Sequence, residues 1–199
     1  MQTDYYRKLS IPPLTDEEQE LILSRYYKNI ENVICTCVRE DDTVYNDIEK
    51  QSLDKKRIPG FNMLIEQDDK TLVSILSKRN INFQLGFIPG IQGIVEQQNV
   101  VPHSDNDRTV NVICYLTGSA DTVFYESENY SQGKVYDPSS IKEVERVNLN
   151  LNEWYALNTK AIHSVENING NRVGISLSIL NTEESFNDYC DFLESKLIP

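Results

Sequence analysis

The sequence predicts a mainly β fold with flanking helices, built around a jelly-roll-like domain of antiparallel strands. Three observations lead to this prediction. Between residues 81 and 180, short stretches rich in Val, Ile, Tyr, Phe and Thr alternate with Gly, Pro, Asn and Asp. On both sides of that region, apolar residues recur at helical spacing. A chain of 199 residues is also long enough to bury a sizeable core, so we expect one domain: an N-terminal helical and loop region (1–80), a β core (81–180) and a C-terminal helix (181–199).

Three helices are expected outside the β core. Thr15, followed three residues later by Glu18, forms a capping-box pattern that predicts a helix from residue 16 to residue 29. Apolar residues on one face predict a second helix at 67–79. The closing helix is expected at 182–196, where the apolar positions are Phe186, Tyr189, Cys190, Leu193 and Leu197.

The β core is expected to contain eight short strands, at 81–88, 93–101, 109–117, 121–126, 144–149, 154–157, 161–166 and 172–180. Residues 127–142 form a longer polar connection within it. Before the core, residues 39–60 are charged, weakly periodic and end in Pro-Gly, so we expect a long loop there. Such a loop is typical either of a lid that closes over a site or of a plain solvated surface.

The charge of the chain excludes some partners. With 19 basic and 31 acidic residues, the formal net charge is −12, which disfavours binding to nucleic-acid phosphates and to anionic membranes. The sequence has no apolar run long enough to span a membrane, and residues 1–10 lack the layout of a secretory signal. Free thiols in a reducing cytosol are the favoured interpretation of the four cysteines, over disulfides or a metal site: Cys35, Cys37, Cys114 and Cys190. We therefore expect a cytoplasmic protein.

The only two histidines, His103 and His163, lie in polar parts of the β core. His103 and Asp105 are two residues apart, so in extended backbone their side chains point to the same face. Because a jelly roll folds its strands back across one another, His163 can reach the same point. Two His and one carboxylate on one face of an octahedral metal leave three positions open, which is the arrangement of non-haem Fe(II) oxygenases. The simpler interpretation of His-x-Asp is a hydrogen-bonded surface pair.

Arg172 begins the apolar stretch RVGISLSIL, nine residues after His163. An arginine at the start of a buried strand is costly unless an anion meets its charge, and a guanidinium fork suits a carboxylate. Along this strand Gly174, Ser176 and Ser178 share a face with Arg172, while the alternate residues are apolar. The polar face therefore has room for a ligand beside the arginine.

These residues resemble the motif of the Fe(II)- and 2-oxoglutarate-dependent dioxygenases, which fold as a double-stranded β-helix. That motif is His-x-Asp, a distal His, and an Arg or Lys about nine to eleven residues further on, matched here by His103, Asp105, His163 and Arg172. The flanking stretches HSDNDRTVNVICYLTG and LNEWYALNTKAIHSVENINGNRVGISLSIL are similar to prolyl-hydroxylase-like and aspartyl/asparaginyl-hydroxylase-like members. The resemblance covers residues 83–180.

The resemblance implies that His103, Asp105 and His163 bind Fe(II), and that 2-oxoglutarate chelates the metal through its 1-carboxylate and keto oxygen. Arg172 would then pair with the 5-carboxylate. With O2, such enzymes decarboxylate the co-substrate to succinate and CO2 and hydroxylate an unactivated C–H bond, here of a peptide, amino acid or small metabolite. Asp105 argues against the halogenating branch, in which a small residue replaces this ligand.

The second partner of the 5-carboxylate stays open. Some members have Arg-x-Ser at the co-substrate strand, but this chain has Gly174 at the serine position. The candidates are Ser176, Tyr115 and Asn111.

Three other residues have two interpretations each. Trp154 and Tyr155 either line a substrate pocket or pack in the core. Arg108 either meets a substrate carboxylate or is a solvated loop residue.

Two rival functions also stay open: a non-catalytic cupin-like module that binds a metal or small acid, and a zinc- or manganese-dependent hydrolase or isomerase. The sequence leaves the oligomeric state undetermined.

Overall fold

Antiparallel β-sheets dominate the computed structural model, which describes residues 4–28, 61–65, 70–81, 87–94, 99–106, 108–180 and 183–197. The expected loop at 39–60, Cys35 and Cys37 lie outside these residues. The strands are β1 (Tyr6–Lys8), β2 (Phe61–Ile65), β3 (Phe87–Ile94), β4 (Val100–His103), β5 (Arg108–Tyr115), β6 (Ser119–Glu126), β7 (Lys142–Asn148), β8 (Trp154–Asn158), β9 (Ile162–Asn169) and β10 (Arg172–Leu180). The helices are α1 (Asp16–Lys28), α2 (Lys70–Ser77) and α3 (Phe186–Leu197), with a 3-10 turn at Pro138–Ser140.

The described strands form two sheets with crossed connectivity. The six-stranded sheet has the order β1-β8-β5-β10-β3-β2, and the four-stranded sheet has the order β4-β9-β6-β7. From β3 onward the chain passes repeatedly from one sheet to the other, so strands distant in sequence become neighbours. This is the predicted jelly roll, and the mainly β fold is confirmed. The assignment of the whole chain to one domain stays a prediction.

The three helices cover the outer face of the six-stranded sheet. The apolar residues of β10 face them: Val173, Ile175, Leu177 and Ile179, each at most 3% exposed. Trp154 lies fully buried in the same core, and its indole N–H donates to the carbonyl of Pro12. Trp154 therefore packs against the helices rather than lining the space between the sheets. The polar face of β10 points into the space between the two sheets.

Hydrogen bonds at the helix starts explain where α1 and α3 begin. At α1, the Thr15 hydroxyl accepts from the backbone N–H of Glu18, and the Glu18 carboxylate accepts from the backbone N–H of Thr15, as the capping box predicts. The buried Glu18 side chain also pairs with Arg79, which follows α2. At α3, the Ser185 hydroxyl accepts from the backbone N–H of Asp188, which sets the start of the helix at residue 186 rather than at 182.

The predicted strands 81–88 and 93–101 are wrong in their boundaries, since one continuous strand, β3, runs through the stretch between them. β3 pairs with β10 along its whole length, so Pro89 and Gly90 lie inside a strand and not in a turn. Among the described residues, the pairing of β2 with β3 begins at Gly90, next to Pro89. Gly93 is required because a Cβ there would lie 1.8 Å from the hydroxyl of Tyr26 on α1. The short strands β1 and β2 were not predicted.

Candidate metal centre

His103 and His163 are brought together by the pairing of β4 with β9. The two residues lie directly opposite each other in this antiparallel pair, and their ring centroids are 4.4 Å apart. Asp105 follows β4, and its Oδ1 is 3.6 Å from Nε2 of His103. One ligand atom from each of the three side chains lies within 4.8 Å of the other two, and all three side chains are buried. The structure therefore gathers the His-x-Asp…His set into one cluster.

Backbone carbonyls orient both imidazole rings. Nδ1 of His103 is 2.8 Å from the carbonyl oxygen of Val101, and Nδ1 of His163 is 2.9 Å from that of Ala161. A carbonyl oxygen can only accept, so in each ring Nδ1 carries the proton and Nε2 keeps its lone pair. This is the tautomer and orientation that a metal-binding histidine needs.

Asp105 is held as a carboxylate by its surroundings. Its backbone N–H donates to the carbonyl of Thr159, and Nη2 of Arg108 is 2.8 Å from its Oδ2. Burial opposes ionisation, but the charge of Arg108 favours the carboxylate and helps to hold the pKa of Asp105 below its ordinary value. Oδ1 is thus the oxygen that faces His103, and Oδ2 faces Arg108.

Sequence analysis suggested a substrate carboxylate or solvent as the partner of Arg108, but the structure shows an ion pair within the protein. The side chain is only 15% exposed, and it pairs with Asp105 instead of standing free in a solvated loop. Its Nη1 also lies 3.5 Å from the hydroxyl of Ser178, on the polar face of β10. Arg108 therefore connects the His-Asp-His cluster to the strand that carries Arg172.

The donor set fits the metal that the sequence motif implies. Two imidazole nitrogens and one carboxylate oxygen on one side of a site are the facial set of non-haem Fe(II) centres, and they leave the remaining positions to other ligands. Imidazole and carboxylate also suit Zn(II) and Mn(II), so the donor set by itself keeps the rival metals open.

Arg172 is a buried cation whose two Nη atoms lack a hydrogen-bond partner in the described part of the chain. It is 1% exposed. Its Cζ lies 3.7 Å from the centre of the Tyr115 ring, so the guanidinium stacks on that ring. Burial lowers the pKa of Arg172 from its ordinary value, yet a guanidinium remains protonated in proteins. Such an arrangement is costly without an anion, so it favours a bound carboxylate.

The structure separates the three candidates for a second carboxylate contact. Ser176 donates its hydroxyl proton to Oδ1 of Asn111 at 2.8 Å, so these two buried side chains partner each other. Tyr115 is the candidate that contacts Arg172. Tyr155 lies in a cluster between the sheets, where its hydroxyl donates to Glu153.

Sequence analysis missed Gln92, which belongs to the same part of the site. It is 4% exposed, and its Nε2 donates to the hydroxyl of Tyr115 at 3.0 Å. The alternation of side chains along a strand could have identified it. In a continuous strand over 87–94, Gln92 is the one polar side chain at an inward position. The Pro-Gly pair of β3 concealed it, because that pair is typical of a turn.

The comparisons with known proteins identify the fold. No protein-family model matches this sequence, and no curated protein sequence matches it. Among solved structures, the chain is similar to the non-heme alpha ketoglutarate dependent epimerase SnoN from nogalamycin biosynthesis, in complex with Fe3+, alpha ketoglutarate and nogalamycin RO (TM-score 0.52, 12% identity, 88% of this chain and 78% of that chain). It is also similar to a prolyl hydroxylase from Trichoplax adhaerens in complex with a peptide of hypoxia inducible factor (TM-score 0.51, 12% identity, 96% of this chain and 87% of that chain).

The chain therefore has the jelly-roll (double-stranded β-helix) fold that its sequence predicts and that these solved structures share. At these identities the likeness concerns the fold, and the function is argued from the site. Within the described residues, no helix is long and apolar enough to cross a membrane.

Proposed function

We propose that this protein is an Fe(II)- and 2-oxoglutarate-dependent dioxygenase that hydroxylates an unactivated C–H bond and releases succinate and CO2. His103, Asp105 and His163 would hold the iron, and Arg172 would bind the distal carboxylate of the co-substrate. One observation carries the proposal. Three side chains that could hold a metal ion, and a buried guanidinium whose Nη atoms lack hydrogen-bond partners among the described residues, occur on a fold shared with a non-heme, alpha ketoglutarate dependent epimerase.

The charges of the site support a dianionic co-substrate. Asp105 and two neutral histidines leave Fe(II) with one positive charge, and Arg172 adds a second. A dicarboxylate bound between them neutralises both. A simple metal hydrolase would leave Arg172 without a partner, which favours the oxygenase over that rival.

Within this proposal, the residues of the chain have distinct roles. The Nδ1 hydrogen bonds keep the Nε2 atoms of both histidines turned toward the metal position. Arg108 holds one oxygen of Asp105, so that the other oxygen is directed to the metal. Phe124, fully buried with its ring 6.4 Å from that of His163, excludes water from one side of the site. Bound iron, with O2 as the oxidant and 2-oxoglutarate as the electron-donating co-substrate, would supply the hydroxylating chemistry.

We extend the proposal to the prime substrate and the compartment. A net charge of −12 supports a peptide, an amino acid or a small metabolite as substrate, rather than nucleic acid. Cys114 and Cys190 are free and buried, which is compatible with a reducing, cytoplasmic compartment.

The direct test is turnover of 2-oxoglutarate by the purified protein supplied with Fe(II) in air. We expect slow formation of succinate without a prime substrate and faster formation when one is found in a screen of amino acids, peptides and metabolites. The His163→Ala variant should form none. Binding of metal and acid without any succinate, across the whole screen, would instead favour the cupin-like binding module. Turnover of another substrate under anaerobic conditions would favour a hydrolase or isomerase.

A further inference from the structure

Gln92, Gly174 and Tyr115 form one row across three neighbouring strands of the six-stranded sheet. Gly174 of β10 lies opposite Gln92 of β3 on one side and opposite Tyr115 of β5 on the other. Residues opposite each other in antiparallel strands share a face, so this row lies on the same polar face as Arg172 and Ser176. The row is therefore part of the wall from which Arg172 projects.

Glycine in the middle of this row lets its two ends meet. A Cβ at position 174 would lie 2.3 Å from the backbone carbonyl oxygen of Cys114, so no larger residue fits there without a shift of β5. The strands β3 and β5 are separated by two strand spacings, about 10 Å. Gln92 nevertheless reaches the Tyr115 hydroxyl at 3.0 Å, because no side chain stands between them. The amide of Gln92 is thus drawn over β10, beside the ring on which Arg172 stacks.

The unsatisfied polar atoms on this face of the sheet have a common explanation. Oε1 of Gln92 is buried without a hydrogen-bond partner in the described part of the chain, as are Nη1 and Nη2 of Arg172. An orphan acceptor beside a carboxylate would repel it. If the Gln92 amide is turned by 180°, Oε1 accepts from the Tyr115 hydroxyl and the NH2 group becomes the free donor. This face then offers an amide donor and two guanidinium donors, both in contact with Tyr115, and together they complement a carboxylate.

We propose that Gln92 is a binding residue for the distal carboxylate of the co-substrate. In the bound protein its NH2 group donates to the carboxylate held by Arg172, while its Oε1 accepts from Tyr115. This inference rests on the proposed function and answers a question that the sequence leaves open. The Ser176 hydroxyl proton is already donated to Oδ1 of Asn111, and in this arrangement the Tyr115 hydroxyl donates to Gln92, so we assign the second contact to Gln92 on β3. No covalent step is involved, and the role of Gln92 is to bind and to select a carboxylate at this end of the acid.

The test measures 2-oxoglutarate binding to protein loaded with Mn(II), by calorimetric titration. Gln92→Leu keeps the approximate shape of the side chain and removes the donor, so we expect the dissociation constant for 2-oxoglutarate to rise about 10- to 100-fold. Gln92→Glu places a carboxylate beside Arg172 and should weaken binding further. Gln19→Leu is the matched control, since Gln19 makes one hydrogen bond to the carbonyl of Leu14 at the start of α1. It should bind 2-oxoglutarate as the wild type does.

Manganese affinity reports separately on the fold and the metal site, and it should be unchanged in both Gln92 variants. A second measurement tests the wild-type protein directly by NMR. In Zn(II)-loaded, 15N-labelled wild-type protein, the side-chain NH2 resonances of Gln92 should shift when 2-oxoglutarate is added. Unchanged 2-oxoglutarate affinity in Gln92→Leu, or unshifted Gln92 resonances in the saturated wild type, would overturn the inference while leaving the proposed function intact. Failure of the wild-type Mn(II) protein to bind 2-oxoglutarate would overturn both.

Discussion

Replacing Arg172 with methionine should have opposite effects on ligand binding and on the stability of the ligand-free protein. The guanidinium is 1% exposed, and its two Nη atoms lack hydrogen-bond partners among the described residues. If a co-substrate carboxylate fills that position, the variant loses a buried, charge-assisted pair. Such a loss costs about 2–5 kcal/mol, so the dissociation constant for 2-oxoglutarate should rise about 30-fold to several thousand-fold.

The same substitution should stabilise the protein when no ligand is present. A buried polar group without partners costs about 1–3 kcal/mol, and more when it is charged. Methionine removes that cost and fills similar space, although it also forfeits the stacking on Tyr115, which contributes about 1 kcal/mol. The expected net gain is about 1–2 kcal/mol, and a domain of this size gains about 2–4 °C in Tm for each kcal/mol.

The assay combines calorimetric titration of 2-oxoglutarate into the Mn(II)-loaded protein with thermal unfolding of the apoprotein. Arg7→Met is the matched control: Arg7 on β1 is also buried, and it pairs with Asp191 and Glu194 of α3. That variant should lose some stability and bind 2-oxoglutarate normally. Unchanged 2-oxoglutarate affinity in Arg172→Met, together with a lower Tm, would show that Arg172 serves the fold and would refute the reasoning.

Three other predictions follow from the same structure. His163→Ala should abolish Fe(II) or Mn(II) binding, because it removes one of the three buried ligands, and wild-type metal affinity by calorimetry would contradict the site. Arg108→Gln should weaken Mn(II) binding about 10- to 100-fold, since Asp105 loses the partner that orients it, and an unchanged titration would show that the ion pair is dispensable. Burial opposes ionisation of Glu18, but hydrogen bonds that include one from Arg79 outweigh it and lower its pKa to about 2 from an ordinary 4.5. The charge of Glu18 therefore contributes about 3 kcal/mol to the free energy of unfolding, which is fully present above pH 4.5 and is lost as the pH falls to 2. In urea unfolding, the free energies of Glu18→Gln and the wild type should differ at pH 7 and converge near pH 2. A difference that stays constant with pH would contradict the assignment.

Local sequence patterns determined a large part of this protein. The alternation along RVGISLSIL established which residues of β10 face the helices, since successive side chains of a strand point to opposite sides. The capping box at Thr15 and Glu18 placed the start of α1, because both hydrogen bonds join residues within one turn. The spacing of His103 and Asp105, with a distal histidine and arginine, carried the fold family and the metal-ligand hypothesis. In each case the relevant interaction is short in sequence or belongs to a recurrent motif.

The three-dimensional structure alone decided which side chains meet at the site. The pairing of Arg108 with Asp105 depends on the path of the chain after β4, and the sequence allowed a substrate or solvent as partner instead. Gln92 entered the site because β3 continues through Pro89 and Gly90, which local turn preferences oppose. That continuation is stabilised by pairing with β10 and by the packing of Tyr26 over Gly93, two contacts between residues far apart in the chain. Sequence periodicity reports the direction of a side chain relative to its own strand, whereas the register between strands sets its neighbours, and that register is determined by the packing of the whole fold.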